Sequence, residues 1–258
     1  VIEDAAQAPG GRYKNKSVGG IGDIGGFSLN YHKTIHCGEG GVMVTNDDDL
    51  ATRLQLIRNH GEAAVADMGI ENLVNTFGGN TRMTELEAAV ANAQLSKLER
   101  LTLPRIALAE HLDRYVAEIP GIRPLRRLND QSRHVYYFYA MEFDEVAAGL
   151  ERSHFVEAVR AEGIELRSGY IKPIYLEPLF QKRVAYPGGF PFTYGGQPVK
   201  VDYSAGICPV TERLYQKTLI FGKFCRVPLK DEHVEQLAAA FIKVLENADE
   251  LRERGAVA

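Results

Sequence analysis

Gly19-Gly20-Ile21-Gly22-Asp23-Ile24-Gly25-Gly26-Phe27-Ser28-Leu29-Asn30-Tyr31-His32-Lys33-Thr34 is the stretch on which the fold turns. The glycine-rich half reads as a turn and Phe27–Leu29 as a short strand. Gly38-Glu39-Gly40-Gly41 is a second turn before a β-branched strand, Val42–Thr45. Gly20–Gly25 formally matches G-x-G-x-x-G, but a dinucleotide fingerprint needs a strand before it and a helix after it. Here a strand follows, and no acidic residue ends a second strand about 20 residues on. A nicotinamide-dependent oxidoreductase is therefore only a distant alternative to a plain glycine turn. No Walker-type phosphate loop and no G-x-S-x-G elbow occurs, and Ser28 beside His32 and His36 does not make a triad.

Lys33 lies between the strand and the second glycine turn. Ser28 stands five residues before it, and Asp4, opening Asp4-Ala5-Ala6-Gln7, stands 29 before it. An isolated lysine is ordinarily a solvated surface charge. A pyridoxal phosphate site, however, needs a lysine for the Schiff base, a carboxylate to keep the pyridinium nitrogen protonated, and a hydroxyl for the phosphate. Alone, the spacing is a weak pointer to that site.

Farther along, Asp47–Asp49 suit the first turn of a helix striped by Leu50, Leu54 and Ile57 and ended by Gly61. This acidic run reads as helix capping rather than a metal site. Residues 61–82 read as an irregular loop. Thr84-Glu85-Leu86-Glu87 is a capping box opening a helix with Leu86, Val90, Ala93 and Leu98 at helical spacing. Pro104 is expected to kink or break the pattern, which resumes to about Glu118. Pro120-Gly121 punctuates the chain, and the grammar then changes. Val135–Phe143 reads as a strand, and Ser153 as the cap of a helix carrying Phe155, Val156 and Val159. Residues 170–210 read as loops. The last helix carries one stripe from Val234 through Leu237, Ala238, Phe241, Val244 and Leu245 to Ala248. The expected division is 1–120 and 121–258.

The composition bounds the rest. In 258 residues, 45% are hydrophobic and the net charge is −4, so the chain can bury a core and has no field for nucleic acid backbones. No apolar run approaches the roughly 18 residues of a membrane span. Cys37, Cys208 and Cys225 are too few and odd in number for a disulfide framework, which fits a cytoplasmic setting. The seven histidines show no zinc-type spacing.

Taken together, Glu3-Asp4-Ala5-Ala6-Gln7-Ala8, Gly25-Gly26-Phe27-Ser28 through Lys33, Gly38–Gly41, Arg58-Asn59-His60-Gly61, Gly79-Asn80-Thr81-Arg82-Met83-Thr84-Glu85-Leu86 and Cys208-Pro209-Val210-Thr211-Glu212 carry a resemblance. The chain resembles the DegT/StrS group of sugar aminotransferases. The match runs in order over almost the whole chain.

The resemblance implies an α/β fold, the pyridoxal phosphate transferase fold type I. It implies the latter part of a large, mainly parallel sheet domain at 1–120 and a smaller α+β domain at 121–258. The family's N-terminal half, with further phosphate and ring contacts, is expected to lie outside this chain. Lys33 is implied as the Schiff-base and proton-moving lysine and Asp4 as the pyridinium partner. Gln7 is implied near the ring, Ser28 on the phosphate, and Asn80 on the phosphate of a neighbouring subunit in a homodimer. His60, Arg82 and Tyr170 are weaker candidates for support or substrate contact. The implied reaction is a ping-pong transfer, through pyridoxamine phosphate, from glutamate or glutamine to a nucleotide-linked keto-hexose or an inosose-like cyclitol. Such transfers serve antibiotic or polysaccharide biosynthesis. Some relatives carry histidine at the lysine position and dehydrate instead; the five-residue step from Ser28 lands on Lys33, which favours transamination. A non-catalytic or regulatory relative that still binds the cofactor is the alternative.

Overall fold

The computed structural model describes residues 1–61, 76–125 and 132–255. They form two compact units. The first comprises Val1–Leu108, Arg127–Tyr137 and Cys225–Pro228, and the second Ala109–Arg126, Phe138–Phe224 and Leu229–Ala258.

In the first unit, strands β1 (Ile2–Asp4), β4 (Ile24–Ser28) and β5 (Gly41–Val44) form a sheet in the order β1-β4-β5, with a small hairpin, β2 (Arg12–Tyr13) and β3 (Lys16–Ser17), between β1 and β4 in the chain. β1 pairs parallel to β4, and β4 pairs antiparallel to β5. The chain after β5 enters α1 (Asp48–Arg58), where the Asp47 carboxylate accepts from the Leu50 N–H at 2.9 Å. Gly61, at φ +75°, closes the helix by donating to the Leu56 carbonyl at 2.7 Å, a left-handed turn that favours glycine. The expected stripe is displaced: Leu56 is buried at 2% exposure while Ile57 is 39% exposed.

The capping box forms as read. In α2 (Glu85–Leu95) the Thr84 hydroxyl accepts from Glu87 N–H at 3.3 Å, and the Glu87 carboxylate accepts from Thr84 N–H at 2.9 Å. Its apolar residues stay uncovered, Leu86 at 82% exposure. The chain breaks helix at Ser96-Lys97 and not at the proline. The Ser96 hydroxyl donates to the Ala93 carbonyl at 2.9 Å, a local bond that competes with the helical ladder. Pro104 then lies inside α3 (Leu98–Val116). Of the expected loop at 61–82, residues 62–75 lie outside the described residues.

In the second unit, β6 (Ile122–Pro124), β7 (Tyr139–Phe143), β8 (Arg167–Ser168) and β11 (Leu219–Gly222) form an antiparallel sheet in the order β6-β7-β11-β8, and β9 (Thr193–Tyr194) and β10 (Gln197–Pro198) make a hairpin in the otherwise loop-like 170–210 segment. Helices α4 (Arg152–Ala161), α5 (Asp231–Glu246) and α6 (Ala248–Gly255) are its longest helices, beside shorter ones at Glu145–Ala148, Pro178–Gln181 and Pro209–Arg213. The core stacks Phe143 on Phe155 at 4.7 Å between ring centroids and sets Phe241 edge-on to Phe155 at 5.4 Å. Each such ring contributes about 1.5–3 kcal/mol on leaving water. Arg152 spans the turn before β11, donating to the carbonyls of Leu214 (3.4 Å), Tyr215 (3.1 Å), Gln216 (2.6 Å) and Leu219 (3.2 Å).

Three expectations are corrected here. The strand read at Val135–Phe143 is confined to Tyr139–Phe143, because Tyr136 turns into the left-handed region at φ +47° and interrupts the ladder. Helix α4 starts from Glu151 without a side-chain cap, and Ser153 lies inside it, although Phe155, Val156 and Val159 are buried as read. The last stripe buries Val234, Leu237, Ala238, Phe241 and Val244, but Asn247 ends α5 and Ala248 opens α6. Among the described residues, no helix is long and apolar enough to cross a membrane, and none of Cys37, Cys208 and Cys225 is in a disulfide.

Candidate active site

The parallel pair β1–β4 positions the first two candidates. Asp4 sits opposite Gly26, and Ser28 lies two residues farther along β4. Parallel neighbours in register face the same side, and the strand period is two. Asp4 and Ser28 therefore share one face at the carboxyl ends of adjacent parallel strands, with only a glycine between them. This is where ligands bind in open α/β sheets. The Asp4 carboxylate is exposed and accepts from the Ala6 N–H at 3.2 Å, which orients it. The Ser28 hydroxyl accepts from Asn30 N–H at 3.3 Å.

The opposite face is closed by the glycine loop. Glu3 projects there, and its carboxylate accepts from the N–H groups of Gly19 (2.7 Å), Ile21 (2.7 Å) and Gly22 (2.6 Å). These amides, Gly22 foremost, hold the Glu3 carboxyl below the usual carboxylate range. Gly25 must lack a side chain: a Cβ there would lie 2.1 Å from the Gly19 carbonyl oxygen. The nest of amides that a dinucleotide phosphate would need is thus filled by the chain's own carboxylate, and a strand, β4, follows it. That overturns the oxidoreductase alternative.

Lys33 sits in a loop fixed at both ends. Leu29 N–H donates to the Gly40 carbonyl (2.8 Å), and Cys37 N–H donates to the Leu29 carbonyl (3.0 Å). Inside it, Asn30 is the hub. Its carbonyl accepts from Lys33 N–H (2.9 Å), its side-chain oxygen accepts from His32 N–H (3.0 Å), and its amide donates to the Glu39 carboxylate (2.7 Å). Leu29 and Ile35 anchor the loop by burial at 5% and 4% exposure. The Lys33 side chain is half-buried, and its Nζ lies 5.1 Å from the centroid of the Tyr137 ring. Burial pushes the Cys37 thiol above its ordinary value.

His60, Asn80 and Arg82 are gathered at a second place. The segments 57–61 and 78–82 zip together: Asn59 bridges Asn80, His60 N–H donates to Gly79 O and Gly79 N–H to Ile57 O, both at 3.0 Å. Arg82 donates its guanidinium to the Asn59 side-chain oxygen, and its N–H donates to the Asn80 side-chain oxygen at 3.4 Å. Gln7 lies half-buried in the turn after β1. Tyr170 belongs to the second unit, at φ +62°, with its ring edge-on to Phe138 (5.3 Å) and Phe221 (5.4 Å). No group of three or more metal-ligating side chains occurs among the described residues.

A carboxylate and a hydroxyl on one face at a parallel strand end, with a primary amine five residues on, make a donor set that fits pyridoxal phosphate. Comparison with known proteins identifies the family. The DegT/DnrJ/EryC1/StrS aminotransferase family matches residues 1–195. The chain belongs to that family. Among curated proteins, it is 34% identical to an L-glutamine:2-deoxy-scyllo-inosose aminotransferase of Streptoalloteichus tenebrarius, over 98% of this chain and 60% of that one. It is 32% identical to the GDP-perosamine synthase of Caulobacter vibrioides, over 69% of this chain and 46% of that one. Among solved structures, an aminotransferase from Psychrobacter cryohalolentis superposes with a TM-score of 0.77 at 27% identity, over 96% of this chain and 62% of that one. The fold is that of the fold type I aminotransferases, and structural neighbours are known in PLP and PMP forms. The chain spans about 60% of the length of the first curated relatives it matches.

Sequence reasoning missed Glu3 as a structural carboxylate and Asn30 as the hub of the lysine loop. A glycine loop rich in free N–H groups needs an anion, and that signal points to the acidic residue one position before Asp4.

Proposed function

We propose that the protein is a pyridoxal phosphate-dependent aminotransferase moving an amino group from glutamine or glutamate to the keto group of a cyclitol or a sugar. The observation that carries the reading is the shared face of Asp4 and Ser28 beside the Lys33 loop. When bound, pyridoxal phosphate would supply the electron sink for the carbon that loses its proton and would hold the amino group between donor and acceptor. Asp4 keeps a proton on the ring nitrogen, and Ser28 donates its hydroxyl to the phosphate. Lys33 Nζ tethers the cofactor covalently. Once displaced, it takes the proton from the amino-bearing carbon of the donor and later returns one to the acceptor carbon. Gln7 packs beside the ring, and Asn80 reaches the phosphate of a second subunit in a homodimer. His60 and Arg82 support the site or contact substrate. Residues 1–120 supply most of the latter part of the large domain and 121–258 most of the small domain, although 109–120 cluster with the second unit and 132–137 and 225–228 with the first. The sparse cysteines, none of them in a disulfide, fit a cytoplasmic site.

On the acceptor, the inosose named for the Streptoalloteichus relative favours a cyclitol over the nucleotide-linked sugar, which the perosamine synthase keeps as the second candidate. The test uses the full-length protein loaded with cofactor. Given glutamine or glutamate and no acceptor, it should release one equivalent of the matching keto acid and then stop. Absence of that stoichiometric release with either donor would refute the reading. Paired turnover with inososes and nucleotide keto-sugars then assigns the acceptor.

A further inference from the structure

We propose that Tyr137 is a positioning residue for the Lys33 amine, delivered by a strap, residues 132–137, that exists to present its ring. The inference rests on the reading of Lys33 as the cofactor lysine and adds a partner that its neighbours in sequence do not supply.

The strap belongs to the first unit although it lies about a hundred residues from Lys33 in sequence. Three contacts from two separate elements secure it. At its start, Arg133 exchanges backbone bonds with Arg12 in the small hairpin, Arg12 N–H to Arg133 O at 3.1 Å and Arg133 N–H to Arg12 O at 2.8 Å. The Arg133 guanidinium clamps the Glu99 carboxylate of α3 with two bonds, 3.0 and 2.8 Å, the planar fork that arginine makes with a carboxylate. That clamp holds Glu99 below the usual carboxylate range. One helical turn and more along α3, Arg105 donates Nη1 to the Tyr136 carbonyl at 3.2 Å.

Arg105 is a costly group to spend on one carbonyl. It is largely desolvated, which lowers its affinity for its proton, and its Nε is buried without a partner among the described residues. Tyr136 is itself held in the left-handed region at φ +47°, unusual for a bulky residue, with its N–H donating to His134 Nδ1 at 3.1 Å. A fully extended strand through Val135–Phe143 would have satisfied the sequence pattern at less strain. The turn at Tyr136 is what departs from it, and the next residue is Tyr137, whose ring meets Lys33 Nζ at 5.1 Å. Such strained, over-determined turns concentrate at functional sites.

The chemistry is that of a cation over an aromatic face. Lys33 must leave its covalent bond, take a proton and return to the same bond. The Tyr137 π-face attracts the ammonium form and keeps the four-carbon stem from swinging into solvent. The ring performs this task and the phenol hydroxyl does not. Tyr137→Phe should therefore behave as wild type and Tyr137→Leu should not.

The test uses full-length protein and two readouts. In the apoprotein, carbon-13 NMR of lysine, assigned with Lys33→Arg, should show the Lys33 ε-methylene protons shifted upfield by the ring current. The shift should persist in Tyr137→Phe and vanish in Tyr137→Leu. In the presence of cofactor, borohydride trapping at Lys33 should speed up about 2- to 5-fold in Tyr137→Leu, because the ring no longer holds the amine as the unreactive ammonium, and stay unchanged in Tyr137→Phe. Wild-type protein without the upfield shift would overturn the proposal even if the leucine variant failed to fold. Equal trapping rates in folded Tyr137→Leu and wild type, or a changed rate in Tyr137→Phe, would also overturn it. Wild-type trapping at a different lysine would instead overturn the assignment of Lys33, on which the strap's purpose depends.

Discussion

Glu3→Gln tests how the site-bearing strand pair is held. The Glu3 Oε1 accepts from Ile21 and Gly22 and the Oε2 from Gly19, at 2.6–2.7 Å. Glutamine keeps one acceptor oxygen, so the Ile21–Gly22 pair can persist without charge. The new NH2 then faces the Gly19 N–H, donor against donor. A hydrogen bond to a charged group contributes about 1.5–3 kcal/mol, and partial exposure of Glu3 places its loss toward the low end, about 2 kcal/mol. For a chain of this size that lowers the melting temperature by about 4–8 °C. Hydrogen exchange gives the local readout: the amides of Gly19, Ile21 and Gly22 should exchange faster, while those of the second unit should not. The sign with pH follows from the lowered Glu3 carboxyl. Its contribution is present above the ordinary glutamate value near pH ~4.3 and is lost as pH falls through the lower folded value. The stability gap between wild type and Glu3→Gln should therefore narrow as pH falls below the ordinary glutamate value and through the lowered folded one. An unchanged melting temperature with unchanged protection at the three amides would refute the argument.

Thr84→Ala should destabilise the protein by about 1 kcal/mol through loss of the α2 N-cap, measured by denaturant unfolding. Arg152→Lys should cost about 1–3 kcal/mol, because an ammonium on a single stem cannot reach four carbonyls that a guanidinium spans, and calorimetry of the variant checks it. Asp4→Ala should still form the covalent adduct at Lys33 but lower turnover by at least about 100-fold, read by comparing trapping with keto acid release.

The parts of this molecule that were legible in the sequence are those governed by local chemistry. Thr84 and Glu87 form their box because both partners lie within one helical turn. Phe155, Val156 and Val159 are buried because a helix repeats every 3.6 residues. Asp4, Ser28 and Lys33 were picked out by the resemblance of their flanking motifs to the DegT/StrS group, while the shared face of Asp4 and Ser28 emerges only from the parallel pairing of β1 with β4. What was not legible depends on partners far away in the chain. Val135–Phe143 alternates like one long strand, yet Arg105, thirty-one residues before Tyr136, helps fix a turn inside it. The break at Ser96 was hidden behind the louder signal of Pro104, since helix capping by a serine hydroxyl leaves only a faint compositional trace. Leu56 displaces the expected stripe of α1 because the facing surface, and not the helix alone, selects which residues are covered. At the candidate site, Tyr137 could not have been placed beside Lys33 from spacing at all.

The central claim is that Lys33 carries the cofactor, and one measurement addresses it directly. Full-length protein is incubated with pyridoxal phosphate, reduced with borohydride, digested and sequenced by mass spectrometry. The account predicts a single stoichiometric phosphopyridoxyl adduct on Lys33, absent in Lys33→Ala. An adduct on another lysine in the wild type, or one retained in Lys33→Ala, would contradict it.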